Sequence, residues 1–124
     1  DCLLVQSVLS RGTGTMLAQA VVQRQDGGAT LAVRVPTGAA LADGIGYRVG
    51  GGDVVPLDWV ACDPELCLAL RTLGKDDLGA LLRGREMVIG FRPLSGSPPL
   101  HLPVSLMGLT AGWRALGACT ADGG

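Results

Sequence analysis

The chain has 124 residues, ten of them basic and eleven acidic for a formal charge of −1, with 48% hydrophobic and 17% charged residues. That length fits one domain over 1–124, able to bury roughly two thirds of the surface its unfolded chain exposes, and the apolar content excludes disorder as a general description. Scattered charge and an aromatic set of only Tyr47, Trp59, Phe91 and Trp113 exclude the basic footprint and stacking platforms of a nucleic-acid binder.

No apolar run reaches the ~18 to 20 residues of a membrane-spanning helix, so no membrane span is expected. From Cys2 to Pro36 three apolar segments, "CLLVQSVL", "TMLAQAVVQRQ" and "ATLAVRVP", are separated by "RGTG" and "DGG". Alternation puts Leu31, Val33 and Val35 on one face, with Ala32 and Arg34 on the other. This reads as strands joined by hairpins, with Asp26-Gly27-Gly28 as a turn.

Asp43-Gly44 and the cluster from Gly50 to Asp53 bracket a short strand around Tyr47 to Val49, and a fifth strand runs from Val54 to Cys62. Gly44, Gly46 and Gly50 are spaced one residue too widely for a dinucleotide loop, and no helical pattern follows. Positive φ in turns is the expected reason for these glycines. "LCLALRTL" makes a sixth strand.

In "GKDDLGALLRG" the period changes. Leu78, Leu81 and Leu82 recur at helical spacing, Asp76 and Asp77 suit the positive end of a helix dipole, and Gly84 suits its C-terminal stop, which predicts a short helix over 75–83. "REMVIGFRP" returns to strand character. "PLHLPVS" is extended, and its prolines confine it to an edge or an irregular segment. Finally, Ser105 as N-cap and a stripe of Leu106, Leu109, Trp113 and Leu116 predict a C-terminal helix over 105–117 laid on the sheet.

The expected fold is therefore all-β or β-dominated: an antiparallel sandwich or barrel of about seven or eight short strands, with one short helix and one C-terminal helix.

The order of these segments resembles the invasion-associated locus B family of exported bacterial proteins. The resemblance rests on Pro36, Gly38, Leu41 and Gly44, on the close cysteine pair around Pro64, and on Pro103-Val104-Ser105-Leu106 followed by Gly108. It covers nearly the whole chain. The resemblance implies a periplasmic or surface-associated β-rich domain of a Gram-negative bacterium, linked in some members to host-cell invasion, and it brings no catalytic motif with it. Cys119 lies beyond the part that resembles the family.

Four cysteines, Cys2, Cys62, Cys67 and Cys119, fit two disulfides, and three pairings are formally open. The expected pairs are Cys62 with Cys67, worth about 2 kcal/mol from loop closure, and Cys2 with Cys119, nearer ~5 kcal/mol before strain. A zinc site normally shows two close pairs, whereas here one close pair stands with two isolated cysteines, so disulfides are preferred to zinc and to free thiols.

Neither close cysteine has an evident base: the single histidine, His101, falls in the edge-like "PLHLP" segment. Asp63 and Glu65 in their proline-containing turn are expected to face water rather than serve as acid, base or calcium ligands. Trp59 and Trp113 are expected in the core. No catalytic, cofactor-binding or metal-ligating residue is therefore assigned.

The leading expectation for function is a non-catalytic exported binding or adhesion module with an unidentified protein, envelope or host-surface partner. An envelope-maintenance protein and an enzyme with a cryptic site are the alternatives. Polar groups converging in a pocket with His101, Asp63 or arginines would favour the enzyme.

Overall fold

The computed structural model describes the backbone of residues 3–9, 16–25, 28–93 and 98–107, and side chains over 17–23, 29–93 and 98–107. Eight strands are present among them: β1 (Leu3–Leu9), β2 (Met16–Gln25), β3 (Gly28–Pro36), β4 (Ile45–Val49), β5 (Val55–Cys62), β6 (Leu66–Leu73), β7 (Glu86–Phe91) and β8 (Leu100–Ser105). A helix, α1 (Lys75–Arg83), joins β6 to β7, and a 3-10 turn at Leu41–Asp43 precedes β4. The expected β-dominated antiparallel architecture is what the chain adopts.

All pairings are antiparallel, in the order β1-β2-β3-β6-β5-β4-β7-β8. The two end strands, β1 and β8, approach each other, so the sheet curls into a nearly closed barrel. β8 carries Pro103 within it and lies at an end of the order, where a residue without an N–H leaves no interior ladder bond unmade.

Alternation along each strand decides what lies inside. Leu31, Val33 and Val35 of β3 are fully buried, and Ile45, Tyr47, Met87, Ile89, Phe91, Leu102 and Val104 join them in one cluster. Among the described residues no polar or charged side chain is buried apart from this tyrosine. The barrel interior is thus filled by apolar side chains, and a ligand site has to be sought on an outer face.

β5 belongs to two ladders. Its first residues pair with β4 (Ile45↔Leu57, Gly46↔Pro56, Tyr47↔Val55), and its later ones pair with β6 from Asp58↔Leu70 to Cys62↔Cys67, with a bulge between Trp59 and Ala61. Where β5 parts from β6, the Arg71 guanidinium fills the fork. Its Nη1 donates to the Pro56 carbonyl at 3.2 Å, while Nη2 and Nε reach Asp77 Oδ2 of α1 at 2.9 and 3.2 Å. One arginine therefore replaces lost ladder bonds and ties the helix to the opening.

Gly84 ends α1 as its C-cap, as expected, at φ −78°; a Cβ there would meet Val49 Cγ1 at 2.5 Å, so close packing is what requires a glycine. Gly44 and Gly50 do have positive φ, at 79° and 56°, but Gly46 does not. A Cβ on Gly46 would lie 3.0 Å from both Val54 Cγ1 and the Val55 carbonyl oxygen, so its reason is close approach to the next strand.

The turn at Asp26-Gly27-Gly28 is flanked by a ladder running to Gln25↔Gly28, and residues 26 and 27 themselves lie outside the described residues. Ser105 ends β8, and its Oγ accepts the Met107 N–H at 3.2 Å, the bond an N-cap makes. The predicted C-terminal helix falls, over 108–117, outside the described residues, and Trp113 with it.

Candidate functional site

On the outer face of β5, β4, β7 and β8 the register lines up Pro56, Gly46, Gly90 and His101 in one row across four strands (Gly46↔Pro56, Gly46↔Gly90, Gly90↔His101). The two central positions have no side chain. A shallow trough results, floored by peptide backbone at Gly90 and with Gly46 buried, its walls Pro56 on one side and the exposed His101 ring on the other, on strands about 14 Å apart by strand spacing. Val54 leans over Gly46, and a Cβ on Gly90 would meet His101 Cδ2 at 3.4 Å, so both walls tilt towards the floor.

The depression has a volume of about 440 Å³, within the range of small-ligand sites, and is open to solvent along its length. Its two ends carry guanidinium groups. Arg48 is exposed and makes no ion pair within 4 Å among the described residues, although Glu86 occupies the diagonal position on β7 of the same face. Arg92 is held by Asp43, Nε to Oδ2 at 3.2 Å.

This arrangement comes from a repeated tetrapeptide. Ile45-Gly46-Tyr47-Arg48 on β4 and Ile89-Gly90-Phe91-Arg92 on β7 run antiparallel with the glycines directly opposed (Ile45↔Phe91, Gly46↔Gly90, Tyr47↔Ile89). A local two-fold relation follows: isoleucine and aromatic side chains point into the core on both strands, and an arginine lies two residues beyond each glycine in opposite directions. The repeated Ile-Gly-aromatic-Arg text was the signal available in the sequence, but nothing local says that the two copies are neighbours.

The sequence-predicted residues divide between this trough and elsewhere. His101 is in it. Cys62 and Cys67 face each other as the last register pair of the β5–β6 hairpin, with their sulfurs at disulfide distance, Cys62 exposed and Cys67 buried beside Thr37 Oγ1. Cys2 and Cys119 lie outside the described residues. Trp59 packs on the core, and its indole N–H is buried without an acceptor among the described residues.

Asp63 is not simply a solvated carboxylate. It accepts the backbone N–H groups of Leu66 and Glu65 at 2.7 and 2.8 Å, and those two bonds hold its carboxyl below the usual range. It closes the hairpin turn, while Glu65 is exposed. Asp76 and Asp77 occupy the first turn of α1 as expected, and Asp77 has the further partner Arg71. Beside that pair burial pushes the Tyr47 hydroxyl up, Asp77 adds to the shift, and Arg71 opposes it.

Chemically, the trough offers a histidine, one unpaired arginine and one paired arginine. Among its lining residues there is no serine, threonine or cysteine; its one carboxylate is engaged by Arg92, and the Tyr47 side chain is turned into the core. It can hold an anion, and among the described residues it presents no nucleophile for His101 to activate. No group of three or more histidine, cysteine or carboxylate side chains is placed to hold a metal ion among the described residues.

A family model described as Invasion associated locus B (IalB) protein matches residues 1–117. The crystal structure of invasion associated protein b from Bartonella henselae superposes with a TM-score of 0.84 at 21% identity, covering 98% of this chain and 92% of that one, a likeness of fold. No curated protein matches the chain.

Proposed function

This chain belongs to the invasion-associated locus B family, and on that footing we propose that it is a non-catalytic, exported binding module acting in the periplasm or at the surface of a Gram-negative bacterium. The observation that carries the reading is the trough: a preformed, open, cation-bearing depression on a rigid sheet, with no nucleophile among its lining residues. Export is supported by the Cys62 and Cys67 sulfurs at disulfide distance, a bond that persists outside the reducing cytosol. One domain accounts for 1–124, and Cys2 pairs with Cys119.

The convergence of His101 with Arg48 and Arg92 is the feature an enzyme reading would need. General acid–base work also needs a substrate-activating partner within hydrogen-bond reach, and His101 has none among the described residues of the trough. Anion recognition can use both arginines and the imidazole without one.

The test is a pull-down of the oxidised domain against host-cell membranes and bacterial envelope extracts in parallel. Saturable capture by host membranes is expected. Capture from the envelope alone assigns a maintenance role instead, and capture from neither removes the binding reading.

A further inference from the structure

We infer that the Cys62–Cys67 bond is a thiol-exchange site of fixed polarity, where an external thiolate enters at Cys62 and Cys67 is the sulfur that leaves and later re-forms the bridge. The site shares no lining residue with the trough. Three observations lead to it.

The two cysteines differ in access. Cys62 is exposed at the end of β5, whereas Cys67 is 1% exposed in the core cluster, opposite Val35 of β3 and with Thr37 Oγ1 4.0 Å from its sulfur. Exchange needs the attacking thiolate in line with the S–S axis, behind the sulfur it attacks. From solvent that line ends on Cys62, and a nucleophile aimed at Cys67 would have to come through packed side chains. The approach to Cys62 is open as well. The ladder between β4 and β5 ends at Ile45↔Leu57, so beyond it β5 pairs with β6 alone among the described residues, and the neighbouring Val60 is 55% exposed.

The hairpin turn stands without the bond. The Asp63 N–H donates to the Leu66 carbonyl at 2.8 Å, and Asp63 Oδ1 accepts from the N–H groups of Leu66 and Glu65. Thr37 donates its N–H to the Glu65 carbonyl at 3.0 Å and its hydroxyl to the Asp63 carbonyl at 2.7 Å. These ties keep the cysteines opposed once the bond opens. The entering thiolate bonds to Cys62, the S–S electron pair leaves on Cys67, and that sulfur takes a proton from water. In reverse the Cys67 thiolate attacks Cys62 and expels the entrant. Where the entrant is a dithiol, its second thiolate attacks its own sulfur in the mixed disulfide and frees Cys62, so the partner loses two electrons and the bridge gains them.

The charge beside the bond is negative. Asp63 and Glu65 are both exposed in the turn, and its two backbone donors hold the Asp63 carboxyl below the usual range. The favoured entrant is therefore a dithiol protein with positive charge around its reactive sulfur, for which cysteamine is a small-molecule stand-in.

The experiment treats the oxidised 124-residue chain with cysteamine or with 2-mercaptoethanesulfonate at equal thiolate concentration, quenches with acid and locates the adduct by peptide mass. The adduct is expected on Cys62, with Cys67 as the free thiol, and cysteamine opens the bond about tenfold faster at low salt. Asp63→Asn with Glu65→Gln removes most of that ratio, and the asparagine retains the Oδ1 acceptor of the turn. In Cys67→Ser the adduct on Cys62 persists, whereas in the parent it collapses to the bridge when free thiol is removed.

An adduct on Cys67, a bond that neither thiol opens in the folded chain, equal rates for the two thiols, or a parent adduct that persists without free thiol overturns the proposal. All four are read on the parent chain, so they decide the matter even if a variant does not fold.

Discussion

Tyr47 is the chain's only tyrosine, which makes one residue separately readable. It sits in β4 with its ring 2% exposed, beside the Arg71–Asp77 pair. Burial raises its hydroxyl above the ordinary value of 10.0, with Asp77 adding and Arg71 opposing. The folded state therefore holds this proton more tightly than the unfolded state does. The resulting stability is fully present below about pH 10 and is lost as pH rises through the folded value. A tyrosinate absorbance titration should give a midpoint above that of the same chain in denaturant. Coincident midpoints would show that the hydroxyl is solvated. Tyr47→Phe should remove that part of the alkaline loss. None of this was visible in the sequence, because Arg71 and Asp77 lie 24 and 30 positions from the tyrosine and reach it only through the β5 fork.

Among the elements, α1 is the one the sequence placed best, and its anchoring explains why. The helical recurrence of Leu78, Leu81 and Leu82 predicted the span 75–83 that is observed, and Leu81, 1% exposed, is the helix's single buried residue. A nine-residue helix has little stability of its own, so it persists through this side chain and the Arg71–Asp77 tie. Leu81→Ala should lower stability by about 2–5 kcal/mol, read as a shifted denaturant midpoint. Asp77→Asn should cost about 1 kcal/mol or less, because both partners of that pair are roughly one-third exposed. If the two variants cost the same, the helix is held electrostatically rather than by packing. At the other end of β6, the Asp63 turn shows what local reading misses. Its carboxylate was expected to face water, and it does, but it also accepts two backbone donors that set the hairpin's length.

For the molecule as a whole, the proposed bridges act at very different ranges. The Cys62–Cys67 link closes a hairpin already in register, whereas a Cys2–Cys119 link would close almost the entire chain. Alkylation of the unreduced protein should leave every cysteine unlabelled, and reduction should expose four thiols and lower the melting temperature. Four labelled thiols before reduction would defeat both pairings. The sequence by itself determined the strands, their inward faces and the β-dominated class, because alternation and turn glycines are local signals that a half-buried strand writes into its own residues. Leu31, Val33 and Val35 are the plainest case. Only the tertiary structure decided that β3 pairs with β6 and β4 with β7, and hence that Gly46 meets Gly90 and the two arginines flank them. Strand order is fixed by which faces bury best when the sheet closes. That energy belongs to residues far apart in the chain, so no single segment carries a record of it.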